Sequence, residues 1–160
     1  MTISVAQRRI IQNGLGIILI GLIGGFFLAW NVIEVITFPL LPFTVDYQIP
    51  GRPARWRAVH SGNIMNGIMA LALAYGFNYC DLSERLANRL SWTIVGVIWG
   101  NSIFYLGAVF APNRGLTYGD NVAGVGKLAG MIAFVPAILA AYALIVVIII
   151  ILRKVKKASH

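Results

Sequence analysis

Four polar side chains stand inside long apolar stretches of this chain: His60, Asn66, Asn101 and Tyr105. Polar groups are costly in hydrocarbon, so each marks a candidate site by default. An imidazole in that setting can make a structural hydrogen bond, relay a proton or ligate a haem iron. Amide and phenol donors beside it would orient a bound molecule and stabilise charge developing on an oxygen.

The chain that must position them has 160 residues, 59% hydrophobic and 11% charged, a composition of the membrane class rather than of a soluble domain. A spanning helix needs about 20 mostly apolar residues. Four stretches meet that length: Gln12–Ile36, Trp56–Tyr79, Leu86–Phe110 and Val125–Leu152. The expected fold is therefore an all-α, single-domain membrane protein of four transmembrane helices. The first stretch follows Arg8 and Arg9 but is too long for a signal peptide and lacks a small-residue cleavage site, so it reads as a retained helix. Its glycines, Gly14, Gly16, Gly21, Gly24 and Gly25, mark a close-packing face, within the chain or between subunits.

The net charge of +8 is distributed as a membrane protein distributes it, not as a nucleic-acid surface would be. Arg8, Arg9, Arg85, Arg89, Arg153, Lys154, Lys156 and Lys157 flank one side of a four-span topology; Arg52, Arg55, Arg57, Arg114 and Lys127 flank the other. This excess places both termini in the cytoplasm, with the Arg153–Lys157 cluster meeting anionic headgroups. Cys80 is the sole cysteine, which excludes an intrachain disulfide.

Between the first two spans, Pro39, Pro42, Pro50 and Pro53 exclude helix and predict an extended cover over the outer mouth, with Trp56 as an interface anchor and Glu34 near the outer end of span one. Within span two, Asn63 and Asn66 fall about 60° and 120° from His60, one side of the helix at 100° per residue. Asn101 and Tyr105, four apart, share a face of span three. His60 lies about 6 Å below the outer surface and Tyr105 about 7–8 Å, by the helical rise. Antiparallel neighbours would bring His60, Asn66, Asn101 and Tyr105 into one layer, a pocket. Pro112-Asn113-Arg114-Gly115 closes span three in a tight turn, and Pro136 predicts a kink in span four.

No CxxCH, HExxH, CxxC, P-loop, GxSxG or Rossmann pattern occurs, which disfavours proteases, kinases and nicotinamide enzymes. The second histidine, His160, lies at the C-terminus, so one chain cannot clamp haem between two imidazoles. A haem at His60 would keep an open iron position, suited to binding or Lewis-acid chemistry. A non-catalytic haem-binding protein and a small proton-coupled transporter using Glu34 and His60 remain alternatives.

Trp56-Arg57-Ala58-Val59-His60-Ser61-Gly62 with Asn66-Gly67, Trp99-Gly100-Asn101 with Phe104-Tyr105, and Pro112-Asn113-Arg114-Gly115-Leu116-Thr117-Tyr118-Gly119 together resemble the styrene oxide isomerase family. These blocks and the Pro50-Gly51 loop cover about half the chain. The resemblance implies a multi-pass enzyme of the bacterial cytoplasmic membrane, assembled as a homotrimer with non-covalent haem b between subunits. It also implies Lewis-acid Meinwald rearrangement of aryl epoxides such as styrene oxide to aldehydes. By position, His60 would ligate ferric iron, Asn66 and Tyr105 would line the substrate side, and Asn101 would support them. Arg55, Arg57, Arg114 and Lys127 are expected partners of the haem propionates. The chain departs from the family at Asn63, where a proline often follows His-Ser-Gly, and at Val97, where an acidic residue often precedes the tryptophan by two. These departures bear on substrate range.

Overall fold

The computed structural model describes residues 3–38 and 40–156. Helix α1, Val5–Ile33, starts seven residues before the first apolar span because Ser4 and Gln7 form a reciprocal capping box. It ends at Glu34, whose φ of 61° places it in the left-handed region. The extended cover is a hairpin of β1, Ile36–Phe38, and β2, Leu41–Val45, paired antiparallel with Ile36 opposite Val45. Alternation is weak here and every β2 residue is exposed, so the sequence predicts extension without predicting the pairing. Pro39 lies outside the described residues.

Helix α2, Pro53–Gly76, begins with proline in its first turn, where the missing N–H costs nothing. A single 3₁₀ turn, Phe77–Tyr79, leads on towards α3, Glu84–Phe110, which is capped by the Ser83 hydroxyl. Helix α4, Leu128–Lys154, continues through Pro136 and presents Ile145, Val146, Ile149 and Leu152 outward. Its start falls three residues after the expected Val125, because Gly126 is held in the preceding loop by the Asp120 carboxylate.

By length and composition α1, α3 and α4 suffice to cross a membrane. Helix α2 is long enough, but Arg55, Arg57, His60, Asn63 and Asn66 dilute its apolar content, so three of the four expected spans meet both criteria. Helices α1, α2 and α3 pack against one another, and α4 packs mainly on α3. The central core joins Ile10 and Ile17 of α1, Ala70 and Ala74 of α2, Ile94 and Ile98 of α3, and Val147 of α4.

Gly14, Gly21, Gly24 and Gly25 are spent on packing within the chain, whereas a Cβ on Gly16 would meet nothing within 4 Å. A Cβ on Gly14 would sit 3.2 Å from that of Ala70, and one on Gly67 would press on the Gly14 carbonyl at 2.6 Å, so the two backbones meet directly. Polar ties reinforce the contact: Gln7 Nε2 donates to the Ala74 carbonyl at 3.0 Å and to Asn78 Oδ1 at 2.8 Å. At the other end, Asn31 Nδ2 donates to the Ile49 and Gly51 carbonyls at 2.7 and 3.1 Å, pinning the segment before α2. Trp56 is no interface anchor. It is buried, stacks on Phe27 at 4.9 Å and donates to the Pro50 carbonyl. Arg153, Lys154 and Lys156 are exposed at the end of the chain, whereas Lys157 and His160 lie outside the described residues.

Gly67→Val drives a branched side chain into the α1 backbone and is expected to destabilise the protein by about 1–3 kcal/mol. Thermal unfolding in detergent measures it; an unchanged midpoint would mean that the two helices do not meet as closely as described.

Candidate functional site

His60 is placed by the α1–α2 contact. Its Nδ1 lies 2.8 Å from the Gly21 carbonyl. A carbonyl only accepts, so in the neutral ring Nδ1 carries the hydrogen and Nε2 keeps a free lone pair. Gly25 makes room for the ring, since a Cβ there would fall 2.8 Å from Nδ1. The half-buried imidazole borders an open groove of about 560 Å³ lined by Leu22, Gly25, Phe26, Leu28 and Ala29.

Tyr105 approaches α2 from α3. Its ring lies over Gly62, where a Cβ would come within 2.6–2.9 Å of the ring carbons. Gly62 is two residues beyond His60, about 200° around the helix. The single layer expected from depth is therefore corrected: within one chain His60 turns towards α1 and Tyr105 towards a separate cavity. That cavity, of about 340 Å³, is lined by Arg52, Ala54, Arg55, Ala58, Phe104, Tyr105, Ala108, Arg114 and Leu116. Between His60 and Tyr105 runs an exposed face of α2 comprising Arg57, Ala58, Ser61 and Met65.

The two amides do meet. Asn66 is buried and donates through Nδ2 to the Ile98 carbonyl at 2.8 Å, while its Oδ1 accepts from Asn101 Nδ2 at 3.2 Å. Asn66 is thus the anchored member and Asn101, half-exposed, hangs from it. Asn63 is fully buried with Nδ2 on the Val59 carbonyl, and its Oδ1 has no partner among the described residues; Ser102 Oγ is likewise unpartnered.

The basic residues divide by role. Arg55 Nη1 donates to the Ala108, Val109 and Ala111 carbonyls at 3.1, 3.2 and 2.7 Å, so its guanidinium caps α3. Arg114 is exposed and held at φ 61° in the turn after α3, a left-handed conformation that costs a non-glycine residue about 1–3 kcal/mol. Asn113 enforces that turn. Fully buried, it donates to the Thr117 and Gly119 carbonyls and accepts from the Gly115 N–H. Arg57 and Lys127 are exposed, the latter as the residue preceding α4, and neither lines a described cavity. Arg52, counted among the outer charges but not among the expected propionate partners, also lines the cavity. Glu34, which a proton path would need, is exposed at the end of α1.

Among the described residues no three His, Cys, Asp or Glu side chains gather to hold a metal ion. One imidazole with Nε2 unspent, its other nitrogen fixed by a carbonyl, is a donor that could hold an iron whose other donors would come from a porphyrin. Helix lengths and apolar surfaces place the chain in the class of α-helical membrane proteins, with a candidate site on α2 and α3.

The comparisons with known proteins narrow the class. The sequence profile described as styrene oxide isomerase matches residues 6–156. A styrene-oxide isomerase of Pseudomonas fluorescens is 31% identical over 134 residues, covering 83% of this chain and 78% of that protein. The chain belongs to the styrene oxide isomerase family and is an isomerase.

Because Asn101 depends on Asn66, their losses should not add. Asn66→Leu and Asn101→Leu together are expected to cost less than the sum of the single changes, with a coupling of about 0.5–3 kcal/mol. A double-mutant cycle of unfolding midpoints measures it, and simple additivity would mean that the amide pair is not formed.

Proposed function

We propose that this isomerase converts aryl epoxides such as styrene oxide to aldehydes by Meinwald rearrangement, with haem b bound at His60. The observation that carries the reading is the His60 imidazole itself, fixed through Nδ1 on the Gly21 carbonyl with Nε2 unspent, in a chain of this family. When bound, ferric haem supplies a Lewis acid with one open coordination position.

In the rearrangement the benzylic C–O bond breaks, a hydride migrates from the oxygen-bearing carbon to the benzylic carbon, and C=O forms. Nothing is oxidised or reduced overall. The chain's task is to favour that path. The Tyr105 hydroxyl donates to the epoxide oxygen as negative charge gathers there. Asn66 sets Asn101, whose second N–H and carbonyl oxygen remain for the substrate. The rings of Phe104 and Tyr105 present π faces to the benzylic cation. Alanine walls keep out the water that would trap the cation as a diol.

His60 and Tyr105 flank the exposed face of α2 from opposite sides, so a second copy covering that face would complete one site from two chains. This supports a homotrimer with haem at its interfaces. It also supports α2 as a fourth span, since Met65 and Ile68, 69% and 54% exposed, would then be covered by protein or lipid. The charge distribution favours both termini in the cytoplasm of a bacterial inner membrane.

Absorption spectra and product analysis of the detergent-purified protein test the roles. His60→Ala is expected to lose the Soret band, and a normal band would remove His60 as ligand. Tyr105→Phe is expected to keep the band while slowing styrene oxide turnover about 100-fold. Unchanged turnover would leave Tyr105 a packing residue.

A further inference from the structure

The hairpin that follows α1 is apolar where a surface loop is ordinarily polar. Residues 35–45 carry no charged side chain, and Glu34 and Asp46, both exposed, close the stretch at either end. Leu40 is 95% exposed, and Phe38, Leu41 and Phe43 are exposed with it. In water such a patch would invite association. The hairpin does not rise beyond the end of α1 but folds back beside it. Trp30 Nε1 donates to the Thr37 carbonyl at 3.0 Å, and the Trp30 ring lies 6.5 Å from that of Phe38. Trp30 precedes Glu34 by one helical turn, about 6 Å along the axis by the helical rise. Phe38 is therefore held beside the last turns of α1, and its ring meets that of Phe43 across the hairpin at 5.0 Å. The aromatic series runs on to Phe26, 6.1 Å from Trp30. Phe26, Val32 and Ile33 of α1 are themselves exposed, so the hairpin prolongs the apolar outer surface of a helix long enough to cross a membrane.

We propose that this hairpin is a lipid-binding element, with Phe38, Leu40, Leu41 and Phe43 seated at the boundary between headgroups and acyl chains in the leaflet where α1 ends. Its depth is limited from both directions. A two-stranded ladder leaves one edge of each strand unpaired, and bare N–H and C=O groups are not tolerated in hydrocarbon. Pro42, within β2, has no N–H to leave unpaired, which lessens that cost. At the base, next to the paired Ile36 and Val45, Glu34 and Asp46 need water. An interfacial position meets all three demands: the apolar side chains leave water, the strand edges reach headgroups, and the carboxylates stay solvated. Ile36 packs against the buried group of Ile49, Trp56, Val59 and Val109, which ties the seated segment to α2 and α3. The proposal rests on the apolar helices of the chain and not on the reaction proposed above.

The test places one fluorophore on the hairpin of the full-length protein. Leu40→Cys in a Cys80→Ala chain leaves a single thiol at an exposed position, where the change costs no packing. Should Cys80→Ala fail to fold, the thiol at position 40 is labelled with the buried Cys80 left in place. The protein, carrying a nitrobenzoxadiazole there, is reconstituted into phosphatidylcholine vesicles. Three quenchers are compared: phosphatidylcholine brominated near the headgroup end of its chains, the same lipid brominated near the chain ends, and iodide present on both sides of the membrane. The expected result is that the headgroup-end bromolipid lowers the emission about twofold or more, and further than the chain-end bromolipid does. Quenching by iodide with none by either lipid would put the hairpin in water and overturn the proposal. Protection from all three would mean that protein, such as a second copy of the chain, covers these residues, and would overturn it equally. Stronger quenching by the chain-end lipid would contradict the interfacial depth.

Discussion

Everything in this molecule hangs on how closely the backbones of α1 and α2 approach. Gly14, Gly21 and Gly25 on one helix and Gly67 on the other remove the side chains that would hold them apart. Only at that distance does the Gly21 carbonyl come within hydrogen-bonding reach of an imidazole on the neighbouring helix. A carbonyl inside a helix already accepts one bond and has a second lone pair to give, so His60 is oriented at no cost to α1. The same contact fixes the rotation of α2, and that rotation sends Asn66 and Gly62 towards α3 and leaves Arg57, Ser61 and Met65 uncovered.

The polar residues of α2 are tolerable in an apolar bundle because most of them answer to a neighbour. His60 meets α1, Asn66 meets the Ile98 carbonyl, Asn101 meets Asn66, and Arg55 caps the end of α3. What is left unspent is informative. His60 borders the groove on the α1 side, Arg52 and Arg114 line the cavity beside Tyr105, and Asn101 keeps hydrogen-bonding capacity beyond its bond to Asn66. These are the groups available to something that is not this chain, and they lie on either side of the face that a second copy would cover.

Much of this was legible in the residues. Hydropathy located the four long helices, proline density located the extended segment, and lone polar residues in apolar runs named the candidate site residues, of which the structure joins Asn66 to Asn101. The failures have physical causes. Helix ends ran beyond the apolar windows because capping, as at Ser4 and Gln7, is independent of hydropathy. Trp56 looked like an interface residue because burial by stacking on Phe27 leaves no trace in composition. Position along a helix does not fix rotation about its axis. His60 and Gly62 are close in depth and face nearly opposite ways, so one apparent pocket resolved into a groove and a cavity. Arg55 and Arg114 could be named but not sorted, since only coordinates separate a guanidinium spent on carbonyls from one held free by a strained turn.

The central claim, that one site is assembled from His60 of one copy and Tyr105 of another, is tested most directly by complementation. His60→Ala and Tyr105→Phe chains, each impaired alone, would be co-expressed with different tags and purified as mixed assemblies. The account predicts that activity returns, because about one interface in three of a mixed cyclic trimer pairs an intact His60 with an intact Tyr105. If mixed assemblies form yet stay as inactive as the single variants, each chain carries its own complete site and the shared-site account is wrong.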